Sequence, residues 1–186
     1  MKDINYKIEI HSPWHCGSGL SKGSDVDALV IKDNDGLPFI PGKTLKGLIR
    51  EAVEDYASLT SACEEEDIVK VFGRNDAEDF NQISKGMGFF TNAELSDEEK
   101  SSILSDNLQP FMYDKVSSTA IDENGVADDH SLRRYEVVVP CTLYATIYFV
   151  DDNFAPILSK ALGMVKRLGV NRNRGLGRCT ISVINK

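Results

Sequence analysis

Four apolar side chains at every second position constrain this chain most. Ile4, Tyr6, Ile8 and Ile10 alternate with Asn5, Lys7, Glu9 and His11. A period of two buries one face of a strand and leaves the other to water. Such a strand needs neighbouring strands and a covering layer to close a core. The covering layer is legible further on. Leu45, Leu48, Ile49, Ala52, Val53 and Tyr56 fall on one face of a helix. Phe154, Ile157, Leu158, Ala161, Leu162, Val165 and Leu168 mark a second amphipathic helix, with Gly169 placed to cap it. Extended segments are expected at 88–95, 141–150 and 179–184, and a short one at 28–32. An apolar patch at 68–73 follows the acidic run 64–67.

The core order is therefore β, α, β, β, α, β. That is an α+β chain with the split βαβ, or ferredoxin-like, arrangement. One domain of 186 residues accounts for it, with palm segments 1–95 and 137–186 and an insertion at 96–136. The insertion is polar and reads as an arm, with a turn at Asn124-Gly125 between two extended pieces. No apolar run reaches the length of a membrane span, and no secretory signal follows Met1, so the expected location is the cytoplasm. Cys16, Cys63, Cys141 and Cys179 have no metal-ligand spacing and are expected as free thiols in a reducing compartment.

The net charge of −8 speaks against a nucleic-acid binder, but its distribution does not. Residues 166–186 carry Lys166, Arg167, Arg172, Arg174, Arg178 and Lys186 and no acid. Residues 1–50 sum to about neutral, and the acid excess lies between 51 and 165. A fold that brings the two ends together concentrates cationic groups on one side.

Three segments could carry chemistry. Gly42-Lys43-Thr44 opens the first helix, but no glycine stands at the spacing a phosphate loop requires, and a nucleoside triphosphatase is excluded. A helix start with Lys43, Lys46 and Arg50 still suits a polyanion, although a solvated helix face explains it equally well. Asn171-Arg172-Asn173-Arg174-Gly175-Leu176-Gly177-Arg178 is more informative. Three arginines and two glycines in eight residues, without an acid, favour phosphate contacts over an ordinary connection. Asp25 and Asp27 follow the Gly/Ser loop and point the same way if extended. Two carboxylates can hold a divalent ion or act as a base, but paired loop aspartates are commonly inert. His15, beside a core strand, reads more readily as structural than catalytic.

Four segments together resemble the CRISPR-associated RAMP superfamily. They are Trp14-His15-Cys16-Gly17-Ser18-Gly19; Asp27 with Gly36-Leu37-Pro38-Phe39-Ile40-Pro41-Gly42-Lys43-Thr44-Leu45-Lys46-Gly47-Leu48-Ile49-Arg50; Val71-Phe72-Gly73; and the arginine–glycine loop. Thr119-Ala120-Ile121-Asp122 and Arg134-Tyr135-Glu136-Val137-Val138 resemble the middle of type III effector backbone subunits. The resemblance implies a ferredoxin-like (RRM-like) palm and a β-hairpin thumb at 112–136. It implies a grip on guide RNA (crRNA) by Ser18, Ser21, Lys22, Lys43, Lys46, Arg50, Arg172, Arg174, Gly175 and Arg178. Base pairing would then read the target RNA. Partners would be other subunits of the effector complex and copies of the chain itself, with no membrane. The resemblance also implies single-stranded target RNA cleavage at Asp27, with His15 a weaker catalytic candidate. Asp27 and Asp25 would hold a divalent metal, expected as Mg²⁺. Thr119 stands where such subunits often carry a basic residue. A catalytically silent capping subunit, a guide-processing endoribonuclease and a protein-interaction module therefore remain as alternatives.

Overall fold

The computed structural model describes residues 1–23, 25–74 and 84–184. Lys186, counted above in the C-terminal basic group, lies outside them.

The alternating segment forms β1 (Lys2–Ile10), and Ile4, Tyr6, Ile8 and Ile10 are all buried. After it come α1 (Gly42–Thr60), α2 (Glu65–Phe72), β2 (Gly73–Arg74) and β3 (Ser84–Lys85). Next are β4 (Phe89–Phe90), α3 (Asp97–Ser105), β5 (Tyr113–Ser118) and β6 (Arg133–Val138). The chain ends with β7 (Thr142–Val150), α4 (Ala155–Met164) and β8 (Cys179–Val183).

β1 is central in a four-stranded antiparallel sheet of order β4-β7-β1-β8. Leu143, Ala145 and Ile147 of β7 and Cys179 and Ile181 of β8 share its buried face. The helices α1 and α4 cover that face through Leu45, Ile49, Ala52 and Val53 and through Leu158, Ala161 and Leu162. Each fully buried branched side chain contributes about 1.5–3 kcal/mol, so this single layer of contacts dominates the stability. Asn5, Lys7, Tyr144 and Tyr148 stand on the opposite face.

Three expectations change, and the apolar patch acquires an element: residues 68–72 of it lie in α2, with Glu65, Glu66 and Asp67 in the first turn, where carboxylates suit the helix dipole. The expected strand at 88–95 is paired as a strand only over Phe89–Phe90. Beyond it, Ala93 bridges Ile40 and Glu94 bridges Tyr144, so the segment stays extended but changes partners. The first part of the expected arm is α3, closed by a capping box between Ser96 and Glu99. Ile103 and Leu104 of α3 pack against the core. The true arm is the β5–β6 hairpin, whose tip turns at Asp122–Gly125 with Ile121 bridging Ala127. Finally, α4 stops at Met164, and Gly169 is not its cap. Residues 165–168 leave the helix because Lys166 and Arg167 align with the chain entering β8: Cys179 N–H donates to Lys166 O (2.9 Å), and Arg167 bridges Arg178.

All four cysteines are free. Burial pushes the thiols of Cys141 and Cys179 up to about 11.

Two glycines of α1 make opposite predictions. A Cβ at Gly42 would sit 2.1 Å from Phe90 O, whereas one at Gly47 meets open space. Gly47→Ala should stabilise by about 1 kcal/mol, the ordinary helix-propensity gain. Gly42→Ala should destabilise by about 1–3 kcal/mol despite the same gain, because backbone must shift. Urea unfolding of the two variants checks both signs.

Candidate nucleic-acid interface

The arginine–glycine loop is anchored to the segment that leaves β1. Gly177 N–H donates to Pro13 O (2.8 Å), Val170 N–H to His15 O (2.9 Å) and Leu168 N–H to Gly177 O (2.9 Å). Gly169 and Gly177 both have positive φ (81° and 65°). A Cβ would lie 2.4 Å from His15 O at Gly169 and 1.8 Å from Leu168 O at Gly177. No other residue type fits that approach without displacing backbone. Residues 172–174 form one 3₁₀ turn between Asn171 and Gly175, both left-handed, which holds the exposed Arg174 clear of the core.

The loop therefore lies beside His15–Gly17 and the first turns of α1. His15, Cys16, Gly17, Thr44, Leu48, Glu51, Gly169, Val170 and Arg172 line one cleft of about 360 Å³. Arg172 reaches Glu51 of α1 (3.3 Å). Lys43 and Lys46 lie on the same helix and form no ion pair among the described residues. Arg50 is committed: it bonds Glu54 (2.7 Å) and Gly73 O (3.0 Å). Arg178 is exposed and its amide is held by Ser12 Oγ (2.9 Å). Gly175 closes the turn with φ of 97°.

The loop at 17–23 runs on from this cleft toward the hairpin. Ser18 Oγ donates to Leu29 O (3.0 Å) and accepts from Leu20 N–H (3.2 Å), so it shapes the loop. Ser21 and Lys22 are exposed, and Lys22 bridges Val26.

Both aspartates turn toward the hairpin. Asp27 Oδ2 accepts from Arg134 N–H (2.7 Å), and Asp27 N–H donates to Arg134 O (2.9 Å). Asp25 bonds Lys115 (2.7 Å) and lies 3.8 Å from Arg134. The Lys115 ammonium holds the Asp25 carboxyl below the usual carboxylate range. Asp25 is thus occupied, while Asp27 keeps one oxygen without a partner among the described residues. No group of three or more His, Cys, Asp or Glu is placed to hold a metal among those residues. His15 is buried, and its Nδ1 donates to Glu136 O (2.6 Å).

Glu136 is the residue that sequence reasoning missed. Its carboxylate accepts from Val30 N–H (3.1 Å) and from Lys32 Nζ (2.9 Å), while its backbone N–H donates to Ala28 O (3.0 Å). Lys32 Nζ also sits 3.7 Å over the Tyr113 ring, and the Tyr113 hydroxyl donates to Gly36 O (2.6 Å). Residues 15 and 28 meet its backbone and residues 30 and 32 its carboxylate, so this one residue fixes the hairpin base to the segment that carries Asp27. Its partners lie more than a hundred residues away, so no local pattern announces it.

An antiparallel sheet backed by two helices, with a hairpin arm and an arginine–glycine loop across one end, defines a mixed α/β protein built around a cationic edge. The family model of the RAMP superfamily matches residues 7–180, and the chain belongs to that superfamily. Among solved structures it is similar to a chain of the type III-B Cmr-beta complex bound to cognate target RNA. That similarity has a TM-score of 0.72 and 13% identity, covering 98% of this chain and 97% of that one. It is similar also to a chain of the apo state of Cmr-beta, with a TM-score of 0.71 and 15% identity, covering 99% of this chain and 98% of that one. No curated protein matches it. Among the described residues, no helix is long and apolar enough to cross a membrane.

Glu136→Ala removes two hydrogen bonds and leaves Lys32 without its carboxylate. It should cost about 1–3 kcal/mol. Hydrogen exchange should accelerate at Val30 and along β6 before it does in β1. Equal acceleration in β1 would contradict a local role.

Proposed function

We propose that this chain is a guide-RNA (crRNA) binding backbone subunit of a type III CRISPR effector complex. In this reading the four-stranded sheet with α1 and α4 is a ferredoxin-like palm. The β5–β6 hairpin is its thumb. Other effector subunits, further copies of the chain and target RNA are its partners, and the cytoplasm is its location. The observation that carries it is the convergence of the Arg172–Arg178 loop, the 15–22 segment and the start of α1 along one edge. Lys22, Lys43, Lys46, Arg174 and Arg178 there have no ion-pair partner among the described residues, so their charge is available to phosphates. The acid excess lies elsewhere, in α2, in α3 and at the hairpin tip. Superfamily membership and the fold shared with Cmr-beta chains support the assignment.

Labelled single-stranded repeat RNA tests it. The wild-type chain, with its neighbouring subunits present, should bind, and log affinity should fall linearly with log salt. Arg172→Ala/Arg174→Ala should weaken binding at least tenfold and flatten the salt dependence. Absence of wild-type binding would return a protein-interaction module to the front.

Cleavage of target RNA is a second, separate proposal centred on Asp27. Its exposed position and the oxygen without a partner among the described residues suit a Mg²⁺ ion that takes its other ligands from water and RNA phosphates. Such an ion would supply charge neutralisation at the scissile phosphate. Asp25 fits that role poorly while Lys115 holds it. The two bonds from Asp27 to the Arg134 backbone favour the rival reading, a silent subunit in which this aspartate only ties the loop to the thumb. Asp27→Asn should abolish target cleavage by the assembled complex while leaving guide binding intact. Persistent cleavage would leave Asp27 a structural residue.

A further inference from the structure

Arg172 differs from the other basic residues of this edge. Lys43, Lys46, Arg174 and Arg178 form no ion pair among the described residues, whereas both terminal nitrogens of Arg172 lie 3.3–3.4 Å from the Glu51 carboxylate. The contact is long for a charge-assisted bond, spans 121 residues and is half exposed. It contributes little to stability. Its position is more telling. Glu51 and Arg172 line the cleft over His15–Gly17 and also a second cleft of about 170 Å³, where Lys166, Arg167 and Asp55 stand. The pair therefore stands where the two clefts meet. Arg167 is tied to the same place, since its guanidinium donates to Arg172 O (3.2 Å).

We propose that Glu51 occupies a phosphate seat on Arg172 in the free protein and is displaced when RNA binds, so that the two clefts join into one groove. A carboxylate is a weaker, singly charged counterpart of a phosphate for a guanidinium fork. One isolated phosphate gains little by the exchange. A strand that also engages Lys43, Lys46 and Arg174 gains those contacts together and pays the exchange once. Glu51 thus discriminates against small anions and short or misplaced polyanions. This inference rests on the RNA-binding reading above.

Glu51→Gln tests it, because the amide keeps the shape and loses the charge. Single-stranded RNA should bind the variant about two- to fivefold more tightly than wild type, the scale of one exposed ion pair. The gain should vanish in an Arg172→Ala background, where no seat remains to be freed. Asp152→Asn, which removes an equal charge beyond the far end of β7, should leave affinity unchanged. Unchanged thermal midpoints would show that all variants fold. An equal gain from Asp152→Asn, or one that survives Arg172→Ala, would reduce the effect to net charge and overturn the proposal. So would equal affinities of wild type and Glu51→Gln. If neither binds RNA, the RNA-binding reading itself fails, a different outcome from binding without a gain.

Discussion

The backbone crossing between residues 13–15 and 168–177 is the constraint on which the rest of the interface depends. Two main-chain hydrogen bonds hold it, a third from Leu168 N–H to Gly177 O closes the loop on itself, and two glycines with positive φ permit the approach. It ties the exit of β1 to the entrance of β8, two strands already paired in the sheet. The arginines are therefore displayed from a rigid support. This matters energetically, because a loop ordered before binding avoids most of the entropy that a free loop would lose. The chain thus presents cations from a rigid scaffold despite its net negative charge.

A second junction positions the hairpin. Glu136 collects Val30, Lys32 and, through its backbone, His15 and Ala28. The Asp27–Arg134 contacts extend the same seam toward the tip. Hairpin and arginine loop share the His15 segment, one bonded at the imidazole and the other at the carbonyl. A displacement at either junction would be felt at the other through this one shared residue. The two functional parts are mechanically joined there, with the sheet as their common base.

Much of the fold was legible in the sequence because its periodicities are strong. β1, α1, β7 and β8 each show one unbroken pattern, period two or period 3.6, and each appears within a few residues of expectation. The weaker elements failed for identifiable reasons. α2 spans only eight residues, too few for a helical period to stand out. α3 is polar but for the adjacent Ile103 and Leu104, too few to show a helical period, although Ser96 and Glu99 spell a capping box that could have been read. The early end of α4 was hidden because Val165 and Leu168 are buried from outside the helix, where burial mimics a continuing apolar face. For the site, the arginine–glycine loop was visible in composition alone. Glu51, Glu136 and Lys32 were not. Their roles come from hydrogen-bond partners 104 to 121 residues distant, and only the tertiary fold supplies those.

The central claim is that RNA lies along the edge formed by the arginine–glycine loop, the 15–22 segment and α1. Ultraviolet cross-linking of bound single-stranded RNA, read by mass spectrometry of the adducted peptides, tests it most directly. The account predicts adducts in residues 15–22, 43–50 and 169–178, with further adducts on the β5–β6 hairpin. Adducts confined to the open sheet face at Tyr144 and Tyr148 would contradict it.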